Sequence, residues 1–382
     1  MSDAEPIVVS MVEGVASGRE ILEGWDALAC AHGRPMASPL WSAAWWRHLA
    51  PSGAVAHTVV CRRAGQVVGV LPLYSTRRRM LVVAGTLGGP GNALRGAALA
   101  ADGDEEEVAR AFAAAVRRIR PRPARLVLHE VEDGDALAGA LGAALGWSAR
   151  RGEPEAAPVM AVDPAGMEAW RAGKSANFRA DVRRKAKRLA AAEAQVERVG
   201  DDDLDSALDA FDALHGARWG ERSPLATPAG RAVVREAVRA MRAEGRCEVW
   251  SVTCREGIVA VHIFMRAGTT LLYFNGGWDP AWADCSPGLL SLVAAVEHAH
   301  EAGVTRFDLG NGDQGYKGRF ADGDRPVRAV SLTAPGAQGA PARAADGARW
   351  AARAARAAAR RGPPRRPGGG PARGRTPPPP GG

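Results

Sequence analysis

The sequence predicts a mixed α/β (α+β) protein of two tandem halves, each a mainly antiparallel sheet flanked by helices, followed by a disordered basic tail. Three observations carry this. The order of helical and extended segments in the first half recurs in the second. Each half holds a similar hairpin: Val60-Cys61-Arg62-Arg63-Ala64-Gly65 stands beside Thr253-Cys254-Arg255-Glu256-Gly257, and an apolar strand follows each. Beyond Pro335 the composition shifts to Ala, Arg, Gly and Pro. At ~100–200 residues per domain, the 382 residues suit two domains and a tail. The boundaries read as 1–165, 166–335 and 336–382.

In the first half a strand spans Ile7–Met11 and helices fall near Glu20–Ala31 and Pro39–Leu49. Trp41 and Trp45 lie four apart, share a helix face and enter the core. A hairpin, Ala56–Arg63 and Gln66–Tyr74, turns at Ala64-Gly65. A strand Met80–Ala84, the loop Thr86–Asn92, helix 105–118, strand 125–131, helix 135–146 and strand 158–162 complete it. In the second half a helix starts after Ser175, a good N-cap. A second helix spaces Leu204, Leu208, Phe211, Leu214, His215 and Trp219 helically. A third carries Val234, Val238 and Met241. The hairpin Glu248–Cys254 and Ile258–Arg266, strand Thr270–Gly277, helix 287–301 and strand Thr305–Leu309 follow.

Charge and cysteines exclude some classes. The net charge is +8, but Gly336–Gly382 holds ten Arg and one acidic residue, Asp346. The rest, with 40 basic and 41 acidic residues, is near neutral, so the body offers no general nucleic-acid footprint. No apolar run spans a bilayer and the N-terminus has no signal-like pattern, which predicts a cytoplasmic protein. The five cysteines show no CxxC spacing, and His298 and His300 are two apart on a helix, so no metal centre is expected.

The strongest local signal comprises Leu271–Pro280, Ser286-Pro287-Gly288, Phe307–Asp313 and Tyr316–Phe320. A strand ends at Asn275-Gly276-Gly277. Ser286 and Pro287 then form a helix start, whose free N–H groups and macrodipole favour an anion. A well-capped helix without ligand is the alternative. Asp308, Asp313 and His262 are the candidate proton-transfer groups. Asp313, in a Gly-rich loop beside Tyr316, is preferred; a structural core histidine is the alternative for His262. Arg179, Arg183 and Lys187 form a basic stripe after Arg171, read either as a solvated helix face or as a contact for an anionic acceptor or a tRNA backbone. There is no G-x-S-x-G elbow, so no acylated serine is implied.

Lys174–Leu189, the Leu214–Trp219 run, Ser286-Pro287-Gly288 and Phe307–Phe320 together resemble the CelD/Fem-like branch of the GNAT superfamily of N-acyltransferases. Pro39–Trp46 resembles the start of such proteins. The resemblance implies two GNAT-like halves and acyl transfer to an amine from acyl-CoA, such as acetyl-CoA, by direct attack in a ternary complex. An amino sugar or cell-envelope polysaccharide precursor would be the acceptor. It further implies that Asn275, Gly276, Ser286 and Gly288 hold the donor, that Tyr316 protonates the departing thiolate, and that Lys317, Arg319 and Asp308 hold phosphate or substrate. The Q/R-x-x-G-x-G/A loop usual in the superfamily is absent before Pro287. Aminoacyl-tRNA, the donor of the Fem branch proper, therefore stands as the second reading, and a non-catalytic binding scaffold as the third.

Overall fold

The computed structural model describes residues 5–78, 81–89, 96–162, 165–312 and 315–346. The chain opens with β1 (Val8–Glu13), α1 (Arg19–Ala31) and α2 (Pro39–Leu49). The hairpin β2 (Val55–Arg63) and β3 (Gln66–Arg78), then β4 (Leu81–Thr86), β5 (Leu99–Ala100) and α3 (Glu105–Arg118) follow. β6 (Arg125–Glu132), α4 (Ala136–Leu145) and β7 (Ser148–Arg151) close the first run. The second run is β8 (Pro158–Ala161), α5 (Met167–Gly173), α6 (Ala176–Ala191), β9 (Gln195–Arg198), α7 (Leu204–Trp219) and α8 (Pro228–Ala243). It continues through β10 (Cys247–Cys254), β11 (Gly257–Ala267), β12 (Thr270–Trp278), α9 (Pro287–Glu301), β13 (Arg306–Asp308), β14 (Gly323–Asp324) and β15 (Val327–Thr333).

Two sheets result. One runs β1-β2-β3-β4-β6-β15-β7, with β5 beside β3; the other runs β14-β8-β13-β12-β11-β10-β9. Each is antiparallel except for one parallel pair, β4 with β6 and β12 with β13. Each parallel pair is joined through a helix, α3 or α9, as a parallel connection requires. The repeated order read from the sequence is thus a repeated fold.

The second sheet shows how alternation builds the layers. Val261, Ile263 and Met265 of β11 face a core with Phe211 of α7 and Val234 and Met241 of α8. Their neighbour Phe264 faces the opposite core, with Leu292 and Val296 of α9 and Phe307 of β13. Burying one such side chain contributes roughly 1.5–3 kcal/mol. α8 forms where Thr227 caps Gly230 N at 3.1 Å, Pro228 stands first, and the Val233, Val234, Ala237, Val238, Met241 stripe is buried.

Three expectations change. The boundary at 165/166 does not divide the sheets: β8 pairs with β13, and β15 pairs with β6 and β7. Each predicted half thus lends a strand to the other sheet, a long-range pairing that local patterning does not encode. The tail does not begin at 336 either, because residues 336–346 are helical and Ala342 is fully buried. There Arg125, at the start of β6, donates to Ala342 O at 2.9 Å and pairs with Asp346 at 2.5 Å. The rest of the basic tail, from 347 on, lies outside the described residues. Lastly, Trp41 and Trp45 are both buried but in different cores. Trp41 meets Phe274 of the second sheet edge-on at 5.4 Å, whereas Trp45 meets Tyr74 of the first at 5.6 Å. Helix α2 thereby joins the two halves.

Candidate active site

The site forms where a strand pair opens. β12 and β13 pair only over Thr270–Leu272 and Arg306–Asp308. β12 then runs on to Trp278, while the partner chain turns away at Gly310, φ +71°. A Cβ at Gly310 would stand 2.8 Å from Tyr273 O, so only glycine permits this turn. A bulge of β12 opposite Ile263/Phe264 re-aims Asn275–Trp278. The opening is a cleft of about 210 Å³, lined by Arg218, His262, Tyr273, Trp278, Tyr316, Arg319 and the Ser286–Gly288 turn.

His262 lies at its base, opposite Gly276 in the β11–β12 register. A Cβ at Gly276 would come within 2.3 Å of His262 Cδ2 and 2.7 Å of Tyr273 Oη; one at Gly288 would stand 3.2 Å from His262 Nε2. Two glycines thus make room for one imidazole. The ring is 3 % exposed and its Nδ1 has no hydrogen-bond partner. Burial, with the nearby Arg218 charge, pushes its pKa down to about 4, so it is neutral near pH 7.

Tyr273 and Tyr316 both line the cleft, and their hydroxyls share a hydrogen bond. Burial raises both phenols, Tyr273 well above its ordinary value. For Tyr316 the bond with Tyr273 and the Arg218 charge oppose that rise. Of the two phenols, Tyr316 is the readier acid.

Helix α9 begins at Pro287 as read, and Ser286 is its N-cap residue. The Ser286 side chain does not cap: it donates to Ala283 O at 3.1 Å, and the residue sits at φ +49°. Leu289 N and Leu290 N bond to Ser286 O, leaving Gly288 N without a backbone acceptor among the described residues. Lys185 and Arg188 of α6 both donate to Asp284 O, at 2.8 and 3.3 Å, and bring positive charge to this helix start. Arg179 of the same stripe instead donates to carbonyls, among them Ala172 O at 3.1 Å.

The structure places several of the predicted substrate and donor residues away from the cleft. Lys317 is buried, donating to Asn311 O at 2.7 Å and Gly310 O at 3.3 Å. Burial lowers its pKa to about 8 against the fields of Asp308 and Glu155. It pins the 308–312 turn and does not line the cleft. Asp308 is equally buried and accepts from Gly310 N at 2.9 Å. Asn275 Oδ1 accepts from Gly276 N at 2.8 Å, and the residue does not line the cleft. Arg319 does line it, bonded to Asp181 at 2.9 Å, whose carboxyl that bond holds below its ordinary value. Asp313 lies outside the described residues. Tyr273, Arg218 and Trp278 were missed as site residues. Arg218 lay inside the Leu214–Trp219 run, but helical spacing does not show which charged residue of a run meets a strand opening.

This fold, a tandem pair of sheets each antiparallel but for one parallel pair, the second of which splays open, is GNAT-like. Residues 176–318 match the Acetyltransferase (GNAT) domain family. Among solved structures the chain is similar to FemX, at TM-score 0.60 and 14 % identity over 84 % of this chain and 97 % of that one. It is similar also to the C-terminal domain of a putative lysylphosphatidylglycerol synthetase from Agrobacterium fabrum, at TM-score 0.53 and 13 % identity over 85 % and 95 %. A third is a tandem GNAT protein of the clavulanic acid biosynthesis pathway, at TM-score 0.51 and 16 % identity over 86 % and 100 %. At these identities the likeness is one of fold: two GNAT-like halves in one chain. No curated protein sequence matches the chain. Among the described residues no helix is long and apolar enough to cross a membrane.

Proposed function

We propose that the protein is an N-acyltransferase that moves an acyl group, such as acetyl, from acyl-CoA to an amine. An amino sugar or a cell-envelope polysaccharide precursor is the acceptor class this reading favours. The observation that carries it is the opening between β12 and the 309–320 segment, with Tyr316, His262 and the Gly288 N–H around one cleft. The amine attacks the thioester carbonyl directly; the C–N bond forms, and the C–S bond breaks with its electron pair leaving on sulfur. Tyr316 gives the thiolate a proton, a reasonable transfer because a phenol and a thiol have reference pKa values of ~10 and ~8.5. His262, neutral and at the base of the cleft, is the base candidate among the described residues for the ammonium proton. Its low pKa makes it a weak base, suited to a proton released as the C–N bond forms. The positive charge of Lys185 and Arg188 near the start of α9 suits the donor's phosphates.

The test is binding of acetyl-CoA to the full chain. At a hundred times its Kd a ligand stabilises the native state by about 2.7 kcal/mol, which a melting curve resolves. No shift with any acyl-CoA would sink this donor. A shift with charged tRNA instead would favour the second reading, to which the basic residues of α6 and the missing pyrophosphate loop lend support.

A further inference from the structure

Arg218 is the one cation lining the cleft without a carboxylate partner among the described residues: Arg319, its counterpart across the opening, is paired with Asp181. Its head group lies 5.0 Å from the Trp219 ring centroid and 5.8 Å from that of Trp278. These two faces hold the guanidinium in place while leaving its edge N–H donors free. A cation at the last turn of a helix often serves the exposed carbonyls there. Here Arg222 has that task, donating to Arg218 O at 3.0 Å and Trp219 O at 3.4 Å. Arg218 is left over, exposed and oriented toward the cleft.

Its side of the sheet is informative. Helix α7, which carries Arg218, packs with Val261 and Ile263 on one face of the sheet; α9 packs with Phe264 on the other. Ser286–Gly288 therefore enter the cleft from one face and Arg218 from the opposite one. Two substrates that meet in a strand opening approach from two faces, and the α9 face is the one proposed for the donor.

We propose, resting on the acyl-transfer reading above, that Arg218 determines acceptor specificity by binding an anionic group, a phosphate or carboxylate, carried near the acceptor's amine. A guanidinium fork with free edge donors matches either oxyanion in bidentate fashion. The acceptor class is accordingly a phosphorylated or carboxylated amine rather than a neutral one.

The test uses the full-length protein and calorimetric titration with two matched pairs: glucosamine 6-phosphate against glucosamine, and glycine against glycinamide. Each is run with and without saturating CoA. The expected result is at least tenfold tighter binding of the anionic member of one pair, kept in the presence of CoA. In Arg218→Met that ratio falls below twofold with the melting temperature unchanged, and Arg218→Lys restores part of it. The pair that responds tells phosphate from carboxylate. Equal binding within both pairs overturns the proposal, as does a preference that survives in Arg218→Met. A preference that CoA abolishes also overturns it, because the anion subsite would then belong to the donor. If CoA itself does not bind, the donor reading fails, while the ratios measured without CoA still decide the role of Arg218.

Discussion

The two halves place a parallel strand pair at the same topological point, yet one pair opens into a cleft and the other is filled. In the second half β12 runs from Tyr273 to Trp278 beyond its last pair with β13, and glycines stand at 276, 277 and 288. In the first, β4 ends at Thr86, one residue beyond its last pair with β6. Thr86 Oγ1 accepts from His129 N at 3.2 Å, Leu87 is fully buried, and Arg34 pairs with Asp135 at 3.0 Å. The void left among those residues is about 10 Å³. A shared fold therefore does not make a site. Strand overhang and the absence of side chains at Gly276 and Gly288 make it.

The comparison breaks most sharply at Gly276. Gly276→Val should abolish donor binding and lower turnover more than a hundredfold, because the new side chain occupies the space of His262 and Tyr273. Titration with acetyl-CoA checks this, and near-normal binding would show that the cleft is elsewhere.

The buried histidines sharpen it next. Burial lowers both His129 and His262 from 6.5 to about 4. Each is neutral in the fold, and below pH ~6.5 the unfolded chain binds the proton more readily. Stability is thus complete above ~6.5 and lost as pH falls toward 4, by about 3 kcal/mol per histidine. His129→Leu should flatten the pH dependence of denaturant unfolding without changing turnover. His262→Leu should flatten it and lower turnover as well. Unequal behaviour of this kind separates the filled half from the open one; equal loss of turnover in both would contradict the comparison.

Tyr316→Phe should reduce turnover by more than tenfold while leaving donor affinity nearly unchanged, as steady-state and binding measurements together would show. Unchanged turnover would remove Tyr316 from the mechanism. The smallest effect concerns the first half alone. Asp346→Asn leaves the buried Arg125 with a neutral partner and should destabilise by about 1 kcal/mol, visible as a lower denaturant midpoint with activity retained.

Much of the fold was legible in the sequence because its signals are local. Hairpin turns at Ala64-Gly65 and Glu256-Gly257, the Ser175 cap and the apolar stripe of α8 each require only neighbours. Gly276 and Gly288 were read as donor contacts at a strand end and a helix start, and the structure sets both against His262. The roles of the cations were not legible. Lys317 and Arg319 are two apart in one short turn; one is buried against carbonyls and the other lines the cleft. Nothing in their identity or spacing says which is which.

By itself the sequence determined the elements and their repeated order, because these follow from backbone geometry and short-range patterning. Only the tertiary structure decided that β8 and β15 cross between the sheets, that residues 336–346 belong to the first half, and that Arg218 rather than Lys317 offers a free charge to the cleft. Those outcomes depend on which distant groups occupy each side chain's surroundings, and burial and pairing are properties of the assembled fold.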